Sequence, residues 1–216
     1  MPQDISGYDV GALLYCPANA HHTVAQAVAA ERLPRPFSLA LCLEDTVRAD
    51  ALAAAEQAVE QTRHDLTDTA RQETFYRPLT FVRVRSPEQL ARLGRAYGKY
   101  RPLLTGFILP KFFIETCGAY CAVIRDLQAD GLDYFYMPVF EAPSMLPLHT
   151  RHAALAEVKA QLDALRECIL NIRVGGNDLC HVFGLRRDPG HTIYDLRPVA
   201  DVLTDLLTTF APDYLV

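Results

Sequence analysis

The sequence predicts an α/β fold of the TIM (β/α)8 barrel type, with about six strand–helix units in its 216 residues. Short runs rich in Val, Ile, Leu and aromatics recur along the chain, and most are apolar throughout rather than alternating. Unbroken apolar character marks strands covered on both faces. Between them lie longer stretches with helical spacing, and strict alternation of the two demands right-handed crossovers and a parallel sheet.

The strands are expected at GALLYC (11–16), FSLALCL (37–43), LTFVRV (79–84), LTGFILP (104–110), YFYMPVF (134–140) and ILNIRVGG (169–176). Helices are expected at about 22–32, 50–73 and 115–130. The clearest helix begins at Ser86-Pro87-Glu88-Gln89, an N-cap, a first-turn proline and an N3 glutamine, followed by Leu90, Leu93 and Tyr97 on one face. Another carries Leu155, Val158, Leu162 and Leu165 behind a Thr150 cap. The last starts near Pro198, carries Val199, Val202, Leu206 and Phe210, and stops at Pro212. An open doubly wound sheet binding a nucleotide is the other parallel candidate. It is disfavoured because YCPANAHH, not a Gly-rich loop, follows the first strand.

A hydrophobic fraction of 50% and a charged fraction of 22% are those of an ordinary globular chain, and no linker divides it, so one domain over 1–216 is expected. The net charge of −5 repels polyanions, which argues against nucleic acid and anionic membrane as partners. No apolar run reaches the roughly 18 residues of a bilayer crossing, and MPQDISGYDV lacks the features of a signal peptide, so a cytoplasmic protein is expected. Six scattered cysteines in such a chain read as reduced thiols.

In parallel α/β folds ligands bind at the carboxyl ends of the strands. There stand Glu44 and Asp45 after the second strand, Arg83 and Arg85 at the end of the third, and Lys111 after the fourth. Glu141 follows the fifth, and Asn177 and Asp178 the sixth. Glu141 and Asp178 fall on neighbouring strand ends and can face one cation, and two carboxylates with positions left for water suit Mg2+. The plainer alternatives are a helix cap beyond Pro143 for Glu141 and an Asx turn with Gly175 and Gly176 for Asp178. Arg83 and Arg85 stand together at this strand end, and one is expected to face the barrel mouth, where a guanidinium needs an anion: a substrate carboxylate, or Glu44 and Asp45. Of the histidines, His181 lies nearest in sequence to this group, and none shows ligand spacing.

Five segments together, LALCLEDTV (39–47), FVRVRS (81–86), GFILPKF (106–112), YFYMPVFEAPSML (134–146) and RVGGNDLCHVFGL (173–185), resemble successive motifs of the HpcH/HpaI aldolase and citrate lyase beta subunit superfamily. That class II aldolase group includes malyl-CoA lyases, and the nearer likeness is to the divergent carbon–carbon bond lyases of bacterial tellurium-resistance and stress operons. The resemblance implies a TIM barrel, Mg2+ held by Glu141 and Asp178, and a substrate-binding arginine at Arg83. It puts the acidic pair of the second-strand motif on Glu44 and Asp45, which with Arg83 form the expected catalytic set. Arg85 and Lys111 complete the expected substrate-binding set, with Lys111 as ion-pair partner of the acidic groups.

The implied reaction is Mg2+-dependent cleavage or formation of a carbon–carbon bond in a small oxo or hydroxy acid, or its CoA thioester, through an enolate. Cys42 and Arg85 depart from the family pattern, which usually has an acidic residue and an asparagine there. Six units where a barrel needs eight imply a C-terminally incomplete barrel that self-associates as a homo-oligomer. The alternative function is a catalytically silent barrel that keeps the metal and anion site as a binding or assembly subunit.

Overall fold

The computed structural model describes residues 5–33, 35–72, 75–98 and 104–216. The elements follow in strict alternation through most of the chain: β1 (Ala12–Pro17), α1 (His21–Ala29), β2 (Phe37–Cys42), α2 (Leu52–Gln72), β3 (Thr80–Arg83), α3 (Pro87–Tyr97) and β4 (Gly106–Leu109). Then come α4 (Cys117–Ala129), β5 (Phe135–Phe140), α5 (Leu148–Asp163), β6 (Arg173–Val174), α6 (Gly176–Val182) and α7 (Arg197–Phe210). The sheet order is that of the sequence, β1 to β6, with every neighbouring pair parallel. A doubly wound sheet reverses its order at a switch point. This one does not, and it curls into a half-barrel clothed by helices.

Residue parity sorts the apolar side chains into two layers. Leu39, Leu41, Val82, Phe107, Leu109, Tyr136 and Phe140 face outward and merge with the helices into the larger core. Ala40, Phe81, Ile108, Met137 and Val139 face inward and form a second cluster, with Val10 and Leu170, that fills the barrel interior. β2, β4 and β5 are buried along their whole length, as unbroken apolar runs require, whereas the edge strand β1 is half-exposed. A 3₁₀ turn at Gly7–Val10 closes the amino-terminal end of the barrel, where the Ser38 hydroxyl donates to the Val10 carbonyl at 2.6 Å. The carboxyl-terminal end is left to polar groups.

The Ser86 cap of α3 is as expected, its hydroxyl accepting from the Gln89 amide at 3.3 Å. Two expectations need correction. α5 starts at Leu148 with Pro147 as its cap residue, because proline presets the backbone there, and Thr150 instead donates its hydroxyl to the Pro147 carbonyl. The sixth strand is two residues long rather than eight: Leu170 still donates to Tyr136 of β5, beside an isolated bridge from Ile169, but the Ile172 amide turns to the Leu215 carbonyl and interrupts the ladder. The helix predicted over 50–73 is described as far as Gln72; position 73 lies outside the described residues. Among the described residues no helix is long and apolar enough to cross a membrane, and all six cysteines carry free thiols.

β4 and β5 approach so closely at Gly106 that an ideal Cβ there would stand 1.8 Å from the Phe135 carbonyl oxygen. Backbone cannot yield as a side-chain tip can. Gly106→Ala is therefore expected to cost about 3 kcal/mol, read as a lowered urea midpoint; an unchanged midpoint would contradict this packing.

Candidate active site at the open end of the barrel

The alternation that fills the barrel interior also chooses what stands at its mouth. Arg83 lies two residues beyond the inward-facing Phe81, Glu141 two beyond Val139, and Tyr15 two beyond Leu13, so each points the same way as its predecessor.

Arg83 gathers the site around itself. Its Nη2 is 2.7 Å from Glu141 Oε1, 2.8 Å from Glu44 Oε2 and 3.4 Å from Asp45 Oδ2, and only 12% of its side chain is exposed. Burial works against the guanidinium charge, yet the carboxylates of Glu141 and Glu44 hold its pKa above the ordinary value. Glu44 Oε2 and Arg83 Nε are nonetheless buried without an aligned hydrogen bond. The contact between Glu44 Oε2 and Arg83 is thus electrostatic rather than a well-directed bond.

Lys111 is the second cation, with Nζ 2.5 Å from Glu44 Oε1 and 3.8 Å from Asp45 Oδ1. Its φ of 49° is left-handed, a conformation that costs a non-glycine residue about 1 kcal/mol. The surroundings enforce it: the Thr116 hydroxyl donates to the Lys111 carbonyl at 2.9 Å, and the Phe112 amide to Val139 at 3.0 Å. This turn lets the Lys111 amide donate to Glu141 Oε1 at 3.1 Å while its side chain reaches Glu44.

Glu141 is 2% exposed and lies in hydrogen-bonding contact with Asp178 of α6. Burial is the main reason its pKa is pushed up to about 7; the Asp178 charge adds to the rise, while Arg83 and the Lys111 amide oppose it. Burial also raises Glu44, with Asp45 assisting and Lys111 and Arg83 opposing. Gly175 makes room for this arrangement. A Cβ there would lie 2.2 Å from Glu141 Oε2, although its φ of −85° is ordinary. Close approach, not backbone freedom, requires the glycine.

Of the sequence-predicted residues, Arg83, Glu44, Asp45, Lys111, Glu141 and Asp178 come together at one end of the barrel. Arg85 is placed differently. Its Nε donates to the Leu43 carbonyl at 2.5 Å and its Nη2 to the carbonyls of Glu44 and Val47, so its guanidinium shapes the loop that carries Glu44 and Asp45. His181 stands exposed on α6. Two residues at the mouth were not singled out in the sequence. Tyr15, 41% exposed, places its ring 5.8 Å from the Arg83 Cζ, and its hydroxyl contacts Arg173 of β6. The signal for Arg173 was a lone charge inside the apolar run ILNIRVGG.

The donor set fits Mg2+. Among the described residues no group of three or more His, Cys, Asp or Glu side chains makes a ready cage, and Mg2+ prefers one or two carboxylates with water and substrate filling the rest. Four carboxylates (Glu44, Asp45, Glu141, Asp178) outnumber the two cations that pair with them (Arg83, Lys111), so the cluster favours a further positive charge. Glu141 and Asp178, two adjoining carboxyls, are the pair that would hold it.

The family model described as C-C bond lyase of the TIM-barrel fold matches residues 4–216. Among solved structures the chain is similar to protein CitE from Mycobacterium tuberculosis in complex with magnesium and acetate. The TM-score is 0.54 and the identity 22%, over 92% of this chain and 69% of that one. No curated protein matches.

A carboxyl raised from 4.5 to about 7 in the fold favours folding where it is protonated. That contribution is full below about 4.5 and is lost as pH rises through about 7. Metal-free protein is expected to lose stability between pH 5 and pH 8 in denaturant titrations with EDTA, and Glu141→Gln to remove most of that slope.

Proposed function

The chain belongs to the carbon–carbon bond lyase family of the TIM-barrel fold, and from that premise we propose that it is a Mg2+-dependent lyase or aldolase acting on a small oxo or hydroxy acid. The observation that carries the reading is the contact of buried Glu141 with half-buried Asp178 beside Arg83, at the end of the barrel where this fold does its chemistry. The complex of CitE with magnesium and acetate lends support, since it pairs the same architecture with a divalent metal and a small carboxylate.

Glu141 and Asp178 would hold the metal, which supplies Lewis-acid polarisation of substrate oxygens when bound. Arg83 is fixed by Glu44, Asp45 and Glu141, so its charge is oriented before substrate arrives and costs little reorganisation as negative charge builds on the departing acid fragment. Lys111 holds Glu44 through its side chain and Glu141 through its amide, and so acts by positioning rather than as a nucleophile. Arg85 fixes the loop that carries Glu44 and Asp45. Whether the acid is presented free or as a CoA thioester is decided by a substrate screen.

One observation favours a second reading, a barrel that binds without turning over: Arg83 already has three carboxylate neighbours and satisfies them as a structural ion pair would. Turnover separates the two. Under the lyase reading, Arg83→Lys lowers kcat/KM by about 100-fold on any substrate found, with Mg2+ affinity little changed. Isothermal titration tests the site itself. Mg2+ should bind the wild type, pyruvate or oxaloacetate should bind only with Mg2+ present, and Glu141→Ala or Asp178→Ala should abolish both. A wild type that binds neither metal nor acid sinks the proposal.

A further inference from the structure

Arg173 is the charge at the barrel mouth that the acidic cluster leaves unmatched. It sits on β6 in register with Val139 of β5, and its neighbours Ile172 and Val174 pack outward into the helical core, which turns Arg173 inward. Among the described residues it forms no ion pair, whereas Arg83 and Lys111 are both committed to carboxylates. Its contact is the hydroxyl of Tyr15 on β1, the opposite edge of the sheet, so the two side chains meet across the gap between the first and last strands. Tyr15 in turn lies beside Arg83, which brings Arg173 into the same mouth as the metal-holding pair.

We infer that Arg173, with the Tyr15 hydroxyl beside it, is the subsite that takes the carboxylate of the substrate. The inference rests on the function proposed above and deepens it. Once a divalent ion has balanced Glu44, Asp45, Glu141 and Asp178 against Arg83 and Lys111, Arg173 is the single positive charge remaining. One carboxylate neutralises it, while a phosphate dianion would leave a surplus negative charge beside the acidic cluster. The planar guanidinium can meet both carboxylate oxygens, and a phenol adds a directed donor at the rim. The substrate class that follows is a small acid bringing one carboxylate to the mouth, with the bond to be broken lying toward Glu141. Arg83 is then free of the duty of binding that carboxylate and is left to face charge that develops during reaction.

The experiment compares L-lactate with lactamide, which keeps the hydroxyl and carbonyl but carries no charge. Both are titrated calorimetrically into wild type, Arg173→Gln, Arg173→Lys and Tyr15→Phe, in Mg2+ and again in EDTA. Wild type should bind lactate about tenfold or more tighter than lactamide. Arg173→Gln should lose about tenfold on lactate and leave lactamide within about twofold, and Arg173→Lys should recover part of the loss. Tyr15→Phe should lose less, and Mg2+ affinity should be the same in all four proteins.

The inference is overturned if the preference for lactate survives Arg173→Gln, or if both ligands weaken together, as they would were Arg173 only a strut across the gap. A wild type that takes up Mg2+ but not lactate also overturns it and leaves the metal site standing. Lactate binding that depends on Arg173 but is as tight in EDTA keeps this subsite and removes the metal from the reading.

Discussion

A guanidinium kept from water at the mouth of a barrel must be surrounded by anions, and most of this structure's polar end follows from that requirement at Arg83. Glu141 and Glu44 approach it within 2.8 Å from two different strand ends, and Asp45 completes the shell. Each of those carboxylates is then itself buried or crowded and needs a second partner. Lys111 serves Glu44, the Lys111 amide serves Glu141, and Arg85 ties down the loop beneath. The left-handed backbone at Lys111 and the missing side chain at Gly175 are local costs of bringing these groups together.

The arrangement stops short of electrical balance. Glu141, 2% exposed and touching Asp178, is driven toward neutrality by burial even with Arg83 adjacent. Such a pair has two ways to settle, a shared proton or a shared cation. Which one prevails decides whether the carboxylates can work together at neutral pH, and it links the fold's stability to the occupancy of its site.

Much of this was legible in the sequence, for identifiable reasons. Strands buried on both faces advertise themselves as apolar runs, so β2, β4 and β5 stood out, and a charge at the end of such a run marks the carboxyl-terminal end of the barrel, which pointed to Arg83, Glu141 and Lys111. What escaped depended on tertiary hydrogen bonding and on where each strand ends. The run at 169–176 contains only a two-residue strand, because the Ile172 amide turns to Leu215 and breaks the pairing with β5 that Leu170 still makes. Arg85 resembled Arg83 in sequence and shares its parity, but β3 ends at Arg83, and beyond it the Arg85 guanidinium turns to backbone carbonyls of the β2 loop. Tyr15 and Arg173 lay inside strands that looked like ordinary core, and only the curl of the sheet brings its two edges close enough for them to meet.

The central claim is that Glu141 and Asp178 form a divalent-cation site next to Arg83. Anomalous diffraction from crystals soaked in Mn2+, a stand-in for Mg2+ with a usable signal, tests it most directly. The account predicts one strong peak with carboxylate oxygens of both Glu141 and Asp178 about 2.1 Å away and water completing an octahedron. A map without a peak there, or with Mn2+ bound only elsewhere on the surface, would contradict it.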